Sequence, residues 1–147
     1  MTTDGFSFLD GSYDVANRWR KDFLEGPDEW EEFPGRSRAT VHFRGNASHD
    51  EIDFPTKGFT GMTLRLYEPD TGQWSLYWAN STTGRLFPPV RGGFRADGTG
   101  LFEGDDTHHG KPVRVRYLWS GITDTEAHWE QSFSGDGGAT WVVNWHM

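Results

Sequence analysis

Five large aromatic residues, Trp74, Trp78, Tyr117, Trp119 and Trp129, fall in the same alternation phase as Asn17, Asn80, Gln131 and Asn144. Indole and phenol rings around a cavity hold flat apolar molecules through buried area and ring-quadrupole contacts, and a few amides fix the orientation of such a guest. The combination predicts binding of a small apolar or aromatic molecule without covalent chemistry. A filled core competes with that reading, its amides bonded to one another or to water, because an amide buried without a partner costs ~1–3 kcal/mol. His146 continues the phase of Asn144 and is expected to turn inward with it, where one imidazole could act as a general base or as an axial ligand to haem.

Two further clusters have metal-ligand residue types. "DDTHHG" offers Asp105, Asp106, His108 and His109, and "HDEID" offers His49, Asp50, Glu51 and Asp53. A zinc site needs three or four converging ligands. Adjacent residues on a strand point to opposite faces, so both imidazoles of a His-His pair ligate only across a turn. No metal is expected at either cluster. For acid–base work Glu103 and Glu130 are the available carboxylates, but the register below pairs Glu130 with Arg116, which would keep it ionised and unfit to donate a proton near neutrality. No "GxSxG" elbow is present for a serine nucleophile.

The elements that must position these residues are short strands. The chain has 147 residues, eight Trp, eleven Phe, four Tyr and nineteen Gly. That length suits one domain, 1–147, able to bury ~70% of its unfolded surface. Its net charge of −8, with scattered Arg and Lys, argues against a nucleic-acid partner. No apolar run approaches the ~18 residues of a membrane span, so no membrane partner is expected. No secretory signal is apparent, and cysteine is absent. Both features point to a cytoplasmic location.

Period-two alternation recurs along most of the chain, and the stretches between read as turns. "KDFLEGPDEW" is the exception, an irregular or helical segment near residues 22–30, suited to a lid. "GMTLRLY" and "QWSLYWAN" form a hairpin about "EPDTG". Centring it on Asp70 sets Leu66 opposite Trp74 and Leu64 opposite Leu76, with Met62 and Trp78 on the same face and Arg65, Tyr67, Ser75 and Tyr77 on the other. Gly92, Gly93, Gly100 and Gly104 suggest sharp bends in the next hairpin. Further on, Arg116 is set opposite Glu130, Tyr117 opposite Trp129, and Trp129 opposite Asn144. "SGDGGATW" has the spacing of the turn motif found on sialidase-type propellers, but it occurs once, where a propeller repeats its blade every ~40–50 residues. It is read as a hairpin connector, with Asp136 bonded to its own backbone and glycines at positive φ. The whole predicts an all-β fold, a single antiparallel up-and-down barrel of about ten strands.

The segments "FSFLDGSYDVANRW", "DEWEEFPG", "LRLYEPDTGQWSLYWANS", "GRLFPPVRGGFRADGTGLFEGDDT", "GKPVRVRYLWSGIT" and "HWEQSFSGDGGATWVVNW" resemble a bacterial family of unknown function whose members are calycin-like (lipocalin-like) barrels. The resemblance spans nearly the whole chain and implies a barrel with an internal cavity. It implies no reaction and no catalytic residues, and "NASHDEIDFPTKG" departs from its pattern. The leading expectation is binding of a small apolar or aromatic molecule, with no cofactor. The alternatives are a cyclase, isomerase or hydratase using the same cavity, a haem protein through His146, and a homodimer joined through outward-facing Tyr67, Tyr77, Trp141 and Trp145.

Overall fold

The structure is a computed structural model that describes residues 5–147. Ten strands follow in order: β1 (Gly11–Arg20), β2 (Trp30–His42), β3 (Ala47–Phe54), β4 (Phe59–Glu68), β5 (Gln73–Asn80), β6 (Val90–Phe94), β7 (Gly100–His108), β8 (Lys111–Ser120), β9 (His128–Ser134) and β10 (Val142–His146). Each pairs antiparallel with its sequence neighbours, and β1 meets β10 to close the barrel. The expected all-β, up-and-down barrel is therefore the fold. Closure leaves no continuous exposed sheet edge, which is how a sheet of this many strands avoids templating further strands. The seam is short: β1 pairs with β10 only at Arg18–His146 and Trp19–Trp145. No helix among the described residues is long and apolar enough to cross a membrane.

The segment between β1 and β2 is irregular rather than helical, folding into bends where the Asp22 carboxylate accepts hydrogen bonds from the amides of Leu24 (3.0 Å) and Glu25 (2.7 Å). These two amides hold the Asp22 pKa below its ordinary value. The loop carries Phe23 over one end of the barrel, 5.8 Å from the rings of Trp19 and Phe133. At the other end the chain before β1 enters the barrel. A 3-10 turn, Ser7–Leu9, presents Phe6 and Leu9 to the core.

Three registers differ from the sequence reading. In the β4–β5 hairpin Tyr67 lies opposite Trp74, Arg65 opposite Leu76 and Thr63 opposite Trp78. The turn thus centres between Asp70 and Thr71, and Gly72 supplies its positive φ of 71°. A slip of one residue exchanges the faces of a strand. Arg65 and Tyr67 therefore point in, and Met62 and Leu64 point out, 45% and 38% exposed. The inward set fits because Arg65 finds a charged partner on β3 and because Gly61 leaves space for the Trp78 ring, which a Cβ there would strike.

Between β8 and β9 the slip is two residues: Tyr117 faces Gln131, and Trp119 faces Trp129. An even shift keeps every face, so the inward set is as read. Its outer pairs do change. Arg116 bonds Glu103 on β7 (2.7 Å) instead of Glu130, and its guanidinium lies 3.8 Å from the centre of the Trp141 ring. In β10 a bulge between Val143 and Trp145 breaks the register, and Trp129 exchanges backbone hydrogen bonds with Met147 rather than facing Asn144. Bulges re-aim side chains. Here Trp145 turns into the core at 7% exposure. Of the four aromatics expected on the outside, Tyr67 and Trp145 therefore belong to the inner packing.

The connector Ser134–Trp141 is the turn it was read as, with different bonds. Asp136 accepts from the Thr140 amide (2.9 Å) and from the Thr140 and Ser134 hydroxyls (2.6 and 2.7 Å). Gly137 and Gly138 have φ of 74° and 98°, and the Trp141 indole donates to the Gly138 carbonyl (3.1 Å).

Candidate functional site

Inward-facing residues of a ten-stranded barrel cannot all meet at its axis, because barrel diameter grows with strand number. At one end the space is filled by Phe6. Its ring centre lies 5.0 Å from both Trp74 and Phe94 and 5.6 Å from Phe102. Next to this packed region, bordered by Leu9, Arg65 and Trp119, a cavity of about 630 Å³ opens. Its aromatic wall is Trp78, Tyr117, Trp119, Trp129 and Trp145, and its aliphatic side includes Leu76 and Ile52. A second chamber of about 370 Å³ lies under the Phe23 loop. Trp78, Tyr117, Gln131 and Trp145 border both chambers and form the waist between them.

The larger chamber reaches the outside past β1. Tyr13 and Val15 line it from the inner face of that strand, while Asp14 and Ala16 line it from the outer face. Across from them stand Thr125, Glu126 and Ala127 of the β8–β9 connector.

Opposite the indoles the wall is charged. Arg65, 3% exposed, forms an ion pair with Asp50, 8% exposed, and donates to the Ser48 hydroxyl (3.1 Å). The Arg65 guanidinium also lies 5.1 Å from the centre of the Phe6 ring. A buried charge must be paired and hydrogen-bonded to offset its desolvation. The carboxylate, the Ser48 hydroxyl and the Phe6 ring meet that requirement for the terminal nitrogens, while the buried Arg65 Nε–H has no partner among the described residues. Burial, and secondarily the Asp106 charge, pushes the Tyr117 phenol well above its ordinary pKa. The group is a neutral hydrogen-bond donor near neutrality.

The sequence-based set divides in three. Trp78, Tyr117, Trp119, Trp129 and Gln131 are brought together on the larger chamber, and Asn80 borders the smaller one. Trp74, Asn17 and Asn144 are packed structure instead. Trp74 is 2% exposed against Phe6. Asn17 accepts the Trp145 indole hydrogen (3.1 Å). Asn144 accepts from Gln131 (2.9 Å) and donates to the Phe23 carbonyl (3.1 Å), which fastens the loop over the barrel end. His146 stands at the rim of the chamber but not on its inner face. The bulge sets it opposite Glu130, with its ring centre 5.6 Å from Trp30 and its Nδ1 3.2 Å from Nε2 of His128. Partial burial lowers its pKa.

The sequence reading did not place Arg65, Asp50 or Trp145 on the chamber wall, although it named Asp50 as a candidate metal ligand. Asp50 lay in a segment read as a polar strand, and its inward aim had a signal, since Ser48, Asp50, Ile52 and Phe54 share one phase. In "DDTHHG" the His108 and His109 rings meet at 4.0 Å, but among the described residues no third ligand joins them. Asp105 bonds Arg114 (2.8 Å), while His108 turns in against Phe133. Burial lowers the His108 pKa, as does the neighbouring His109.

Compared with known proteins, the chain matches no family model and no curated relative.

Proposed function

We propose that the larger chamber binds a small, largely apolar or aromatic molecule. The carrying observation is the cavity itself: about 630 Å³ walled by four indoles and two phenols. Ligand sites are typically ~300–1,000 Å³, mostly apolar, with a few placed polar groups. The indoles supply the stacking area. Gln131, the Tyr117 hydroxyl and the Arg65–Asp50 pair supply polar contacts that select the guest's orientation. A closed ten-stranded antiparallel barrel is compatible with the calycin-like resemblance of the sequence, and the proposal takes the protein as a barrel of that kind. Burial keeps the Tyr117 phenol protonated, so that it serves as a donor to the guest.

The test is titration with a neutral aromatic probe, N-phenyl-1-naphthylamine, read by probe emission and by tryptophan quenching. Saturable one-site binding is expected. Trp78→Ala should weaken it at least ~10-fold, the equivalent of ~1.4 kcal/mol, while far-UV circular dichroism stays unchanged. Absence of saturable binding to the folded wild-type protein, or equal affinity in folded Trp78→Ala, would overturn the proposal. Native mass spectrometry of freshly purified protein would identify a carried guest directly.

A further inference from the structure

His128 and Glu130 are two residues apart on β9 and so share its outer face. His146 is the direct cross-strand partner of Glu130. It holds that position only because of the β10 bulge. Carried on from Val142–Phe133 and Val143–Ser132, an unbroken register would set residue 145 opposite Glu130 and would turn His146 inward. The consequence is a convergence of three side chains from the two strands. The ring nitrogens of His128 and His146 are 3.2 Å apart, a carboxylate oxygen of Glu130 is 3.9 Å from the His128 nitrogen, and all three ligand atoms lie within 4.8 Å of one another.

We propose that His128, Glu130 and His146 bind a divalent transition metal, zinc by the character of the donors. Zinc–nitrogen bonds of ~2.0–2.1 Å in a tetrahedron place ligand atoms roughly 3.3–3.4 Å apart. The two imidazole nitrogens, 3.2 Å apart, are close to that separation, and the Glu130 oxygen lies 3.9 Å from His128 and within 4.8 Å of His146. The three side chains are partly buried, so the ligand atoms are held by packing yet reachable from solvent. Arg18, the neighbouring cation, has its guanidinium stacked 4.3 Å from the Trp30 ring centre. Three protein ligands leave a fourth position for water or for a donor atom of another molecule. His128 and His146 also line the larger chamber. A metal here would therefore sit at the chamber's rim, where it could take an oxygen or nitrogen donor of a molecule passing in. This reading does not depend on the chamber holding an aromatic guest.

The experiment is calorimetric titration of untagged, chelator-treated full chain with zinc alone, repeated with cobalt to read its visible d–d bands. One equivalent is expected to bind, with the intense bands of tetrahedral cobalt and displacement of cobalt by zinc. Glu130→Gln should weaken zinc binding at least ~10-fold, since even residues that only support a ligand cost 10–100-fold in affinity. His128→Gln should abolish the one-equivalent site. His108→Ala/His109→Ala should bind zinc as the wild type does. Failure of the wild-type protein to bind zinc, leaving the two imidazoles merely hydrogen-bonded, would overturn the proposal. Loss of the site on changing His108 and His109 would overturn it equally, as would undiminished binding by folded Glu130→Gln and His128→Gln.

Discussion

Around Phe6 and around Trp78 the same wall chemistry produces opposite results. Trp74, Phe94 and Phe102 close on the Phe6 ring at centre distances of 5.0–5.6 Å, Trp74 and Phe94 in edge-to-face pairs and Phe102 tilted by 35°. Trp78, four residues along β5 from Trp74, stands along the wall with Trp129 of β9 and Trp145 of β10; Trp145 meets Trp78 at 6.3 Å and Trp129 at 5.7 Å, and the space beside them stays open. The difference is one side chain that no strand supplies. Phe6 comes from the turn before β1, and among the described residues no ring from outside the strands lines the larger chamber. Side chains rooted on the wall of a wide barrel leave an axial void unless something else is inserted.

The sharpest way to break this contrast is to remove the plug. Phe6→Ala should cost ~3–5 kcal/mol in urea denaturation, the range for emptying a packed aromatic site. It should also enlarge the space available to an aromatic probe. Trp78→Ala, whose ring borders a void already, should cost clearly less stability while losing more probe affinity. A reversed order would show that the two regions do not differ as described.

Of the same order is the ion pair between the two regions. Arg65→Met leaves the Asp50 carboxylate buried without its partner, and such losses run to ~3–5 kcal/mol. The double substitution Arg65→Met/Asp50→Leu should recover most of the stability but not the orientation of a polar guest. Comparing the three proteins by urea denaturation and by probe binding separates the pair's packing role from its part in recognition.

The smallest effect lies far from both regions and serves as their control. Hydrogen bonds from the Thr140 hydroxyl and amide and from the Ser134 hydroxyl hold the Asp136 pKa at about 2, below its ordinary 3.8. A carboxylate whose pKa is depressed by folding stabilises the fold above the unfolded value and ceases to do so as pH falls through the folded one. The advantage of wild type over Asp136→Asn in thermal melts should be full above 3.8 and vanish near pH 2. Probe affinity at neutral pH should not change.

How much of this was legible follows from parity. Closed β topology, strand number and the irregular β1–β2 loop follow from alternation and turn residues, which are local signals. In β8 and β9 the register error was even, so Tyr117, Trp119, Trp129 and Gln131 were placed on the correct face. In β4 the error was odd, and Arg65 changed sides with Met62 and Leu64. The misleading signal there was strong, because three apolar residues alternate with a cation and a phenol. What overrides it is the buried Asp50 on the neighbouring strand. A one-residue bulge in β10 likewise exchanged Trp145 and His146, and nothing local to that strand announces it.

The sequence alone determined that the chain closes into an antiparallel barrel and that indoles dominate one face of its strands, because both depend on neighbours along the chain. Only the tertiary structure decided where the barrel is solid and where it is hollow, which charge faces inward, and which histidines meet. Those outcomes depend on the meeting of residues distant in sequence, such as Phe6 with Phe102, Arg65 with Asp50 and His128 with His146. Their free energies are gained only once the strands are in register, so no single stretch of chain carries them.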